Sequence, residues 1–195
     1  MTKKTKGDKR TRVLDAAAKL VHEQGFHRTS LADISNESGV PLGNLNYYFK
    51  TKDAIGEAVV ERLACAYEAL RESWESTTDP QRRLESFIQM SMDNRDTLSR
   101  SGCPVGTLCA ELNKEGGVVA EKAAQVFGEL LHWIEAQFRL LGKGRESADL
   151  AIHLLSAIEG VSLLALAFHD PQHVARESRY LQQWVRGIST ERRKR

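Results

Sequence analysis

Cysteine, long apolar runs and an excess of either charge are all scarce in this chain, and each scarcity removes a class of protein. Three cysteines in 195 residues, Cys65, Cys103 and Cys109, are an odd number with no CxxC spacing. Neither a disulfide framework nor a zinc site is indicated, and a reducing cytoplasm fits best. The N-terminus is basic but no apolar run follows it, so the segment does not read as a signal peptide. The most apolar stretch, Leu150 to Phe168, contains His153 and Glu159 and reads as short of a comfortable membrane span. His169 and His173 are four apart, but Pro171 lies between them and no acidic or Cys partner completes a coordination set. No metal and no cofactor are expected.

The charge balance is nearly neutral: 28 Lys and Arg against 26 Asp and Glu, a formal +2. Taken alone this argues against a nucleic-acid-binding protein, which usually carries a basic excess. Its distribution argues the other way. Residues 1–55 hold ten basic and six acidic groups, hence +4, and residues 56–185 hold thirteen against nineteen, hence −6. Residues 186–195 hold five basic groups and Glu191, hence another +4. A polyanion would be met locally, at a basic head on an acidic body.

What is present is helical periodicity almost throughout. Val13, Leu14, Ala17, Leu20 and Val21 form one stripe that Gly25 ends. Ser30 with Asp33 three residues on is a capping-box pattern opening a second helix that Gly39 closes. Pro41 suits the first turn of a third helix, running to about Tyr47. Thr51 reads as the N-cap of a long fourth helix, and Asp79-Pro80 opens a fifth with Leu84, Phe87, Ile88 and Ser91 on one face. Ser101 to Gly106, with two Gly and a Pro, breaks the pattern, and helix is expected again near Thr107. The segment Ser147 to Phe168 is apolar almost all round and must be buried on more than one side. A last helix is expected to place Tyr180, Leu181, Trp184, Val185 and Ile188 on one face. With 41% hydrophobic residues and no alternating strand pattern of useful length, the chain is all-α.

A short helix, a tight Gly turn and a second short helix read as helix-turn-helix. The stretch Val13 to Ala58 closely resembles the DNA-binding domain of the TetR family of bacterial transcriptional regulators. The resemblance is carried by Gly25-Phe26, by Thr29-Ser30-Leu31 with Ile34, by Gly39-Val40, and above all by Gly43-Asn44-Leu45-Asn46-Tyr47-Tyr48-Phe49-Lys50-Thr51-Lys52-Asp53. It implies an N-terminal three-helix DNA-binding domain, residues 1–53; the basic segment from Lys3 to Arg12 at its start reads either as an arm reaching into DNA or as a solvated tail. A C-terminal helical domain for ligand binding and dimerisation, residues 54–195, is implied to follow. The implied partners are a double-stranded DNA operator, a second copy of the chain and an unknown small-molecule effector, with no membrane.

The same resemblance assigns roles. Asn44, Asn46 and Tyr47 would face base edges, Gly43 would allow close backbone approach, and Asn suits adenine in the major groove. Tyr48 and Lys52 would hold phosphates, and Arg28, Thr29 and Ser30 would meet the DNA backbone. Tyr47 could instead be packing, whereas Leu45 and Phe49 read as core. Leu42 stands where the family often has a basic residue, and Asn46 where an aromatic is common.

In the second half, Tyr67, Phe87, Met90 and Trp133 are the right types for pocket walls, with plain core as the competing reading. Glu159 within an apolar helix needs a partner, either a ligand or an Arg across an interface. Ser156, Ala157, Gly160 and Ala165 would let a second helix approach, so this helix and the last one suggest a four-helix interface about a two-fold axis. The element Ser101 to Glu111 resembles a Gly-Cys element in the branch that includes the electrophile-responsive repressor NemR. That resemblance would make Cys103 a sensor of electrophiles, against the alternative that all three cysteines are small buried hydrophobes. The functional reading is therefore a homodimeric, effector-released repressor and not an enzyme. Two alternatives are a helical enzyme with Cys103 as nucleophile and a DNA-binding protein governed by a protein partner.

Overall fold

The structure is a computed structural model describing residues 6–190, with side chains from 9 to 188. Those residues form ten α-helices and one 3-10 turn, and no strand is found among them. The chain divides into two compact units.

The first unit comprises residues up to Cys65 together with Pro104–Ala124. It contains α1 (Lys6–Gln24), α2 (Leu31–Ser38), α3 (Leu42–Tyr48), the start of α4 (Lys52–Glu75), α7 (Pro104–Leu112) and the start of α8 (Val118–Leu140). The unit therefore reaches past residue 53 and takes in a later segment that a cut at 53/54 leaves with the other domain. Ile34, Leu45, Phe49 and Ile55 are buried, as are Val13, Ala17 and Val21 of the α1 stripe. The capping signals hold in detail. Ser30 Oγ accepts from the Asp33 N–H at 3.1 Å, and the Ser30 N–H donates to Asp33 Oδ2 at 2.8 Å. Gly39 closes α2 in the left-handed region, φ 63°, where a residue with a Cβ pays a steric penalty. Thr51 Oγ1 accepts from the Ala54 N–H at 3.0 Å, capping α4.

The second unit comprises Ala66–Cys103 and the residues from Gln125 onward. It holds the rest of α4 and α8, α5 (Pro80–Asp93), α6 (Arg95–Ser101), α9 (Ser147–Phe168) and α10 (Gln172–Thr190). Leu84, Phe87, Ile88, Ile134, Phe138, Leu154 and Val185 form its core, each no more than 1% exposed. Asp79 caps α5 by accepting from the Gln81 N–H at 2.9 Å. Between α5 and α6 the chain breaks at Asn94, whose side-chain amide donates to the Met90 carbonyl at 2.8 Å. Such a local side-chain bond competes with continuation of the helix.

Three sequence expectations change here. Helix resumes at Pro104, not near Thr107, because a proline in the first turn loses no hydrogen bond. On α10, Leu181 and Val185 point into the unit's own core while Tyr180 is 69% exposed, so these residues do not share one face. On α9, Ala165 is fully buried and cannot line a contact with another chain, whereas Ser156 and Gly160 lie on the exposed side. Ile152, Leu163, Leu164 and Phe168 share that side, between 49% and 66% exposed. The segment Gly144–Phe168 reaches a mean hydropathy of 1.9 in its most apolar window, so by length and composition alone it passes as a possible span despite His153 and Glu159.

Candidate DNA-reading face and a buried polar cluster

The reading face is built by the local geometry of α2, its Gly39 turn and α3. Pro41 starts α3, with the Asn44 N–H donating to the Pro41 carbonyl at 2.8 Å. Leu45, fully buried, anchors the helix from below, and Phe49 does so at its end. What remains outward is Leu42, Gly43, Asn44, Asn46 and Tyr47, all exposed, with Tyr47 at 67%. Beyond its chain neighbours and its own helix backbone, no atom lies within 4 Å of where a Cβ on Gly43 would sit, so the surface there is open to close approach. Tyr48 is half-buried and meets Tyr47 edge-on at 5.2 Å between ring centroids. This geometry presents two amides, a phenol and a bare backbone on one short helix, groups able to hydrogen-bond to base edges.

Beside this face, Arg28 and Ser30 are exposed at the α1–α2 turn. Thr29 is not: it is 1% exposed, and its hydroxyl donates to the Gly25 carbonyl at 2.7 Å. Its expected contact with a DNA backbone is corrected to an internal role, closing the turn that carries its neighbours. Lys52 has one of its three donors on the His27 carbonyl at 3.0 Å, and its ammonium sits 4.8 Å from the Phe26 ring centroid. The segment expected to be a basic arm is also different. Lys6 to Arg12 are already helical in α1. Arg10 lies over the Phe49 ring at 4.9 Å, and Arg12 donates to the Ser38 carbonyl at the end of α2. Lys3 and Lys4, like Arg192 to Arg195, lie outside the described residues.

Sequence reasoning missed Glu111. From the last turn of α7 its carboxylate accepts from the Phe26 N–H at 2.9 Å and the His27 N–H at 2.7 Å. No local signal points to it, because 84 to 85 residues separate the partners.

In the second unit, three of the residues expected to meet an effector converge from separate elements: Tyr67 of α4, Cys103 just before α7 and Glu159 of α9. The Cys103 side chain is within hydrogen-bonding reach of both the Tyr67 hydroxyl and the Glu159 carboxyl. Burial raises the Glu159 pKa, and the bond from Cys103 opposes this. Burial holds the Tyr67 hydroxyl well above its ordinary range, reinforced by Cys103 and Glu159. In both groups burial penalises the charged form. Glu159 thus has an intrachain partner in a thiol, an arrangement the sequence did not suggest. Phe87 and Trp133 sit instead in a ring cluster with Trp74, at centroid distances of 5.2 to 6.2 Å. The Trp133 Nε1–H donates to Glu75 Oε1 at 2.8 Å, and Met90 packs half-buried against the same core.

Comparison with known proteins gives two family matches. Residues 13–59 match the model described as bacterial regulatory proteins, tetR family, and residues 80–179 the LmrA/YxaF-like transcriptional regulator C-terminal domain. The HTH-type transcriptional regulator LmrA of Bacillus subtilis is 33% identical over 165 residues, covering 82% of this chain and 87% of that one. YxaF of the same organism is 31% identical over 175 residues, covering 85% and 89%. Among solved structures, a TetR regulator from Legionella pneumophila superposes with a TM-score of 0.82 at 19% identity, covering 94% of this chain and 98% of that one. Reduced Escherichia coli NemR gives 0.74 at 21% identity, covering 90% and 96%, a likeness of fold.

Proposed function

The chain belongs to the TetR family and is a DNA-binding transcriptional regulator, and from that premise we propose that it is a homodimeric repressor released from a pseudo-palindromic operator by a small organic effector. Asn44, Asn46 and Tyr47 read base edges, Gly43 admits the groove wall, and Arg28, Ser30, Tyr48 and Lys52 hold the DNA backbone. The second copy covers the exposed α9 face of Ile152, Leu163, Leu164 and Phe168, where Ser156 and Gly160 permit close helix approach. Two recognition helices would then meet half-sites about 34 Å apart, one turn of B-DNA.

The observation that carries the effector reading is the convergence of Tyr67, Cys103 and Glu159 inside the regulatory unit. A phenol, a thiol and a carboxyl converging in one place suit a hydrogen-bonding ligand, and Cys103 gives an electrophile a nucleophilic atom. An effector that favours the released state by about 1–3 kcal/mol changes operator occupancy several-fold or more. The enzyme reading of Cys103 falls away, because the relatives are transcriptional regulators. Mobility shift on a duplex enriched from a random pool tests DNA binding, and a thermal-shift screen tests the effector. A ligand that raises the melting temperature and releases the duplex supports the proposal. Ligands that bind with unchanged DNA affinity, or binding that survives Tyr67→Phe with Cys103→Ser, refute it.

A further inference from the structure

The turn between α1 and α2 is held in an unusual way. Gly25 adopts φ +91° and swings the chain so that the N–H groups of Phe26 and His27, which have no partner within α1, point the same way. Successive N–H groups of this kind form a small anion-binding concavity. Its occupant is the Glu111 carboxylate, at 2.9 and 2.7 Å. A Cβ on Gly25 would stand 3.0 Å from Glu111 Oε2, so the close fit depends on the glycine. An acidic side chain in the last turn of a helix faces the negative end of the dipole and is unfavourable there without compensation. The two N–H donors supply that compensation.

The rest of the turn is closed from the other side. Lys52 donates to the His27 carbonyl, Thr29 donates to the Gly25 carbonyl, and Gln24 Nε2 donates to Thr29 Oγ1 at 3.3 Å. Every residue of this clamp except Glu111 lies in or beside the DNA-binding motif. The residues it holds run directly into Arg28 and Ser30.

We propose that Glu111 is a positioning residue for DNA binding: it never reaches the DNA, but it fixes the α1–α2 turn so that Arg28 and Ser30 meet the phosphates together. The inference rests on the reading of Arg28 and Ser30 as backbone contacts. A carboxylate bonding two N–H groups orients a segment more firmly than one bond could, because rotation about a single bond is stopped. Without it, Arg28 and Ser30 must be ordered when DNA binds, and that entropy is taken from affinity.

The test uses the full-length protein and a duplex enriched by the wild type from a random-sequence pool. Glu111→Gln keeps the shape and one acceptor but turns an NH2 toward the second N–H, and its expected effect is on the order of tenfold weaker binding. The slope of binding against salt should become shallower, as phosphate contacts are lost. In an Arg28→Ala, Ser30→Ala background the same substitution should cost little, since nothing remains to position. Glu111→Asp, which withdraws the carboxylate by one methylene, should fall between the two and serves if the Gln variant unfolds. Binding by folded Glu111→Gln within twofold of wild type overturns the inference, as does an equal loss in both backgrounds. If Arg28→Ala with Ser30→Ala loses nothing, the backbone-contact reading fails and takes this inference with it. If that pair loses affinity and Glu111→Gln does not, this inference alone fails.

Discussion

Replacing Gly56 by Ala sets two effects of opposite sign against each other, and the structure decides between them. Gly56 lies inside α4, where Ala is intrinsically better by about 1 kcal/mol. A Cβ at that position would stand 2.6 Å from Phe26 Cε2, 3.0 Å from its Cζ and 3.2 Å from Val119 Cγ1. The first of these distances is impossible without movement. The Phe26 ring has little room to yield: it is 5% exposed, its N–H is bound to Glu111, and Lys52 sits on its face. Overpacking of this kind costs typically 1–3 kcal/mol, so the larger part of the range exceeds the propensity gain. The expected net destabilisation is up to about 2 kcal/mol, read as a urea midpoint lowered by up to roughly 1 M at unchanged slope. Far-UV circular dichroism follows the transition, and Phe26→Leu should recover much of the loss when added to Gly56→Ala. A raised midpoint for Gly56→Ala would show that the ring moves aside freely and would refute the reasoning.

Three other outcomes follow from the same contacts. Glu159 has its pKa raised by burial, so the folded state keeps a proton that the unfolded chain releases. Its contribution to stability is greatest below the unfolded pKa and declines as pH rises through the folded one. Glu159→Gln should therefore stabilise the protein more at pH 8 than at pH 4, and denaturant melts showing the reverse would count against it. Asn44→Ala should cost about 1–3 kcal/mol on the enriched duplex and relax the base preference at one position, whereas Arg28→Ala should weaken all duplexes alike. Both are read by binding competition, and a uniform loss for Asn44→Ala would remove it from base reading. Leu164→Glu places a charge in the exposed α9 face and should give monomers by light scattering, with operator binding lost. A dimer that persists in this variant places the interface elsewhere.

Much of the reading head was legible because its signals are local. A capping box needs only Ser30 and Asp33, the left-handed stop needs only Gly39, and Leu45 and Phe49 follow from helical spacing. What the sequence concealed depends on partners far along the chain or on which side of a helix meets a neighbour. Thr29 looks like a surface hydroxyl until Gly25 turns the chain over it. The α10 residues read as one apolar face, although Tyr180 and Leu181 are adjacent and a helix turns about 100° between them. Glu159 announced the need for a partner, but nothing nearby in sequence said that it would be Cys103. The boundary between units was hidden for the same reason, because Pro104–Ala124 joins the head only through distant packing.

The internal use of cations in the head bears on how the protein finds its site. Arg10 lies over Phe49, Arg12 caps α2, and Lys19 pairs with Glu37 at 2.8 Å. Basic groups that would otherwise cling to any stretch of duplex are occupied with the protein's own oxygens and rings. Loose attachment to random DNA is carried chiefly by such cations, and a genome offers on the order of a million or more competing sites. A regulator with fewer uncommitted cations spends less time on the wrong DNA.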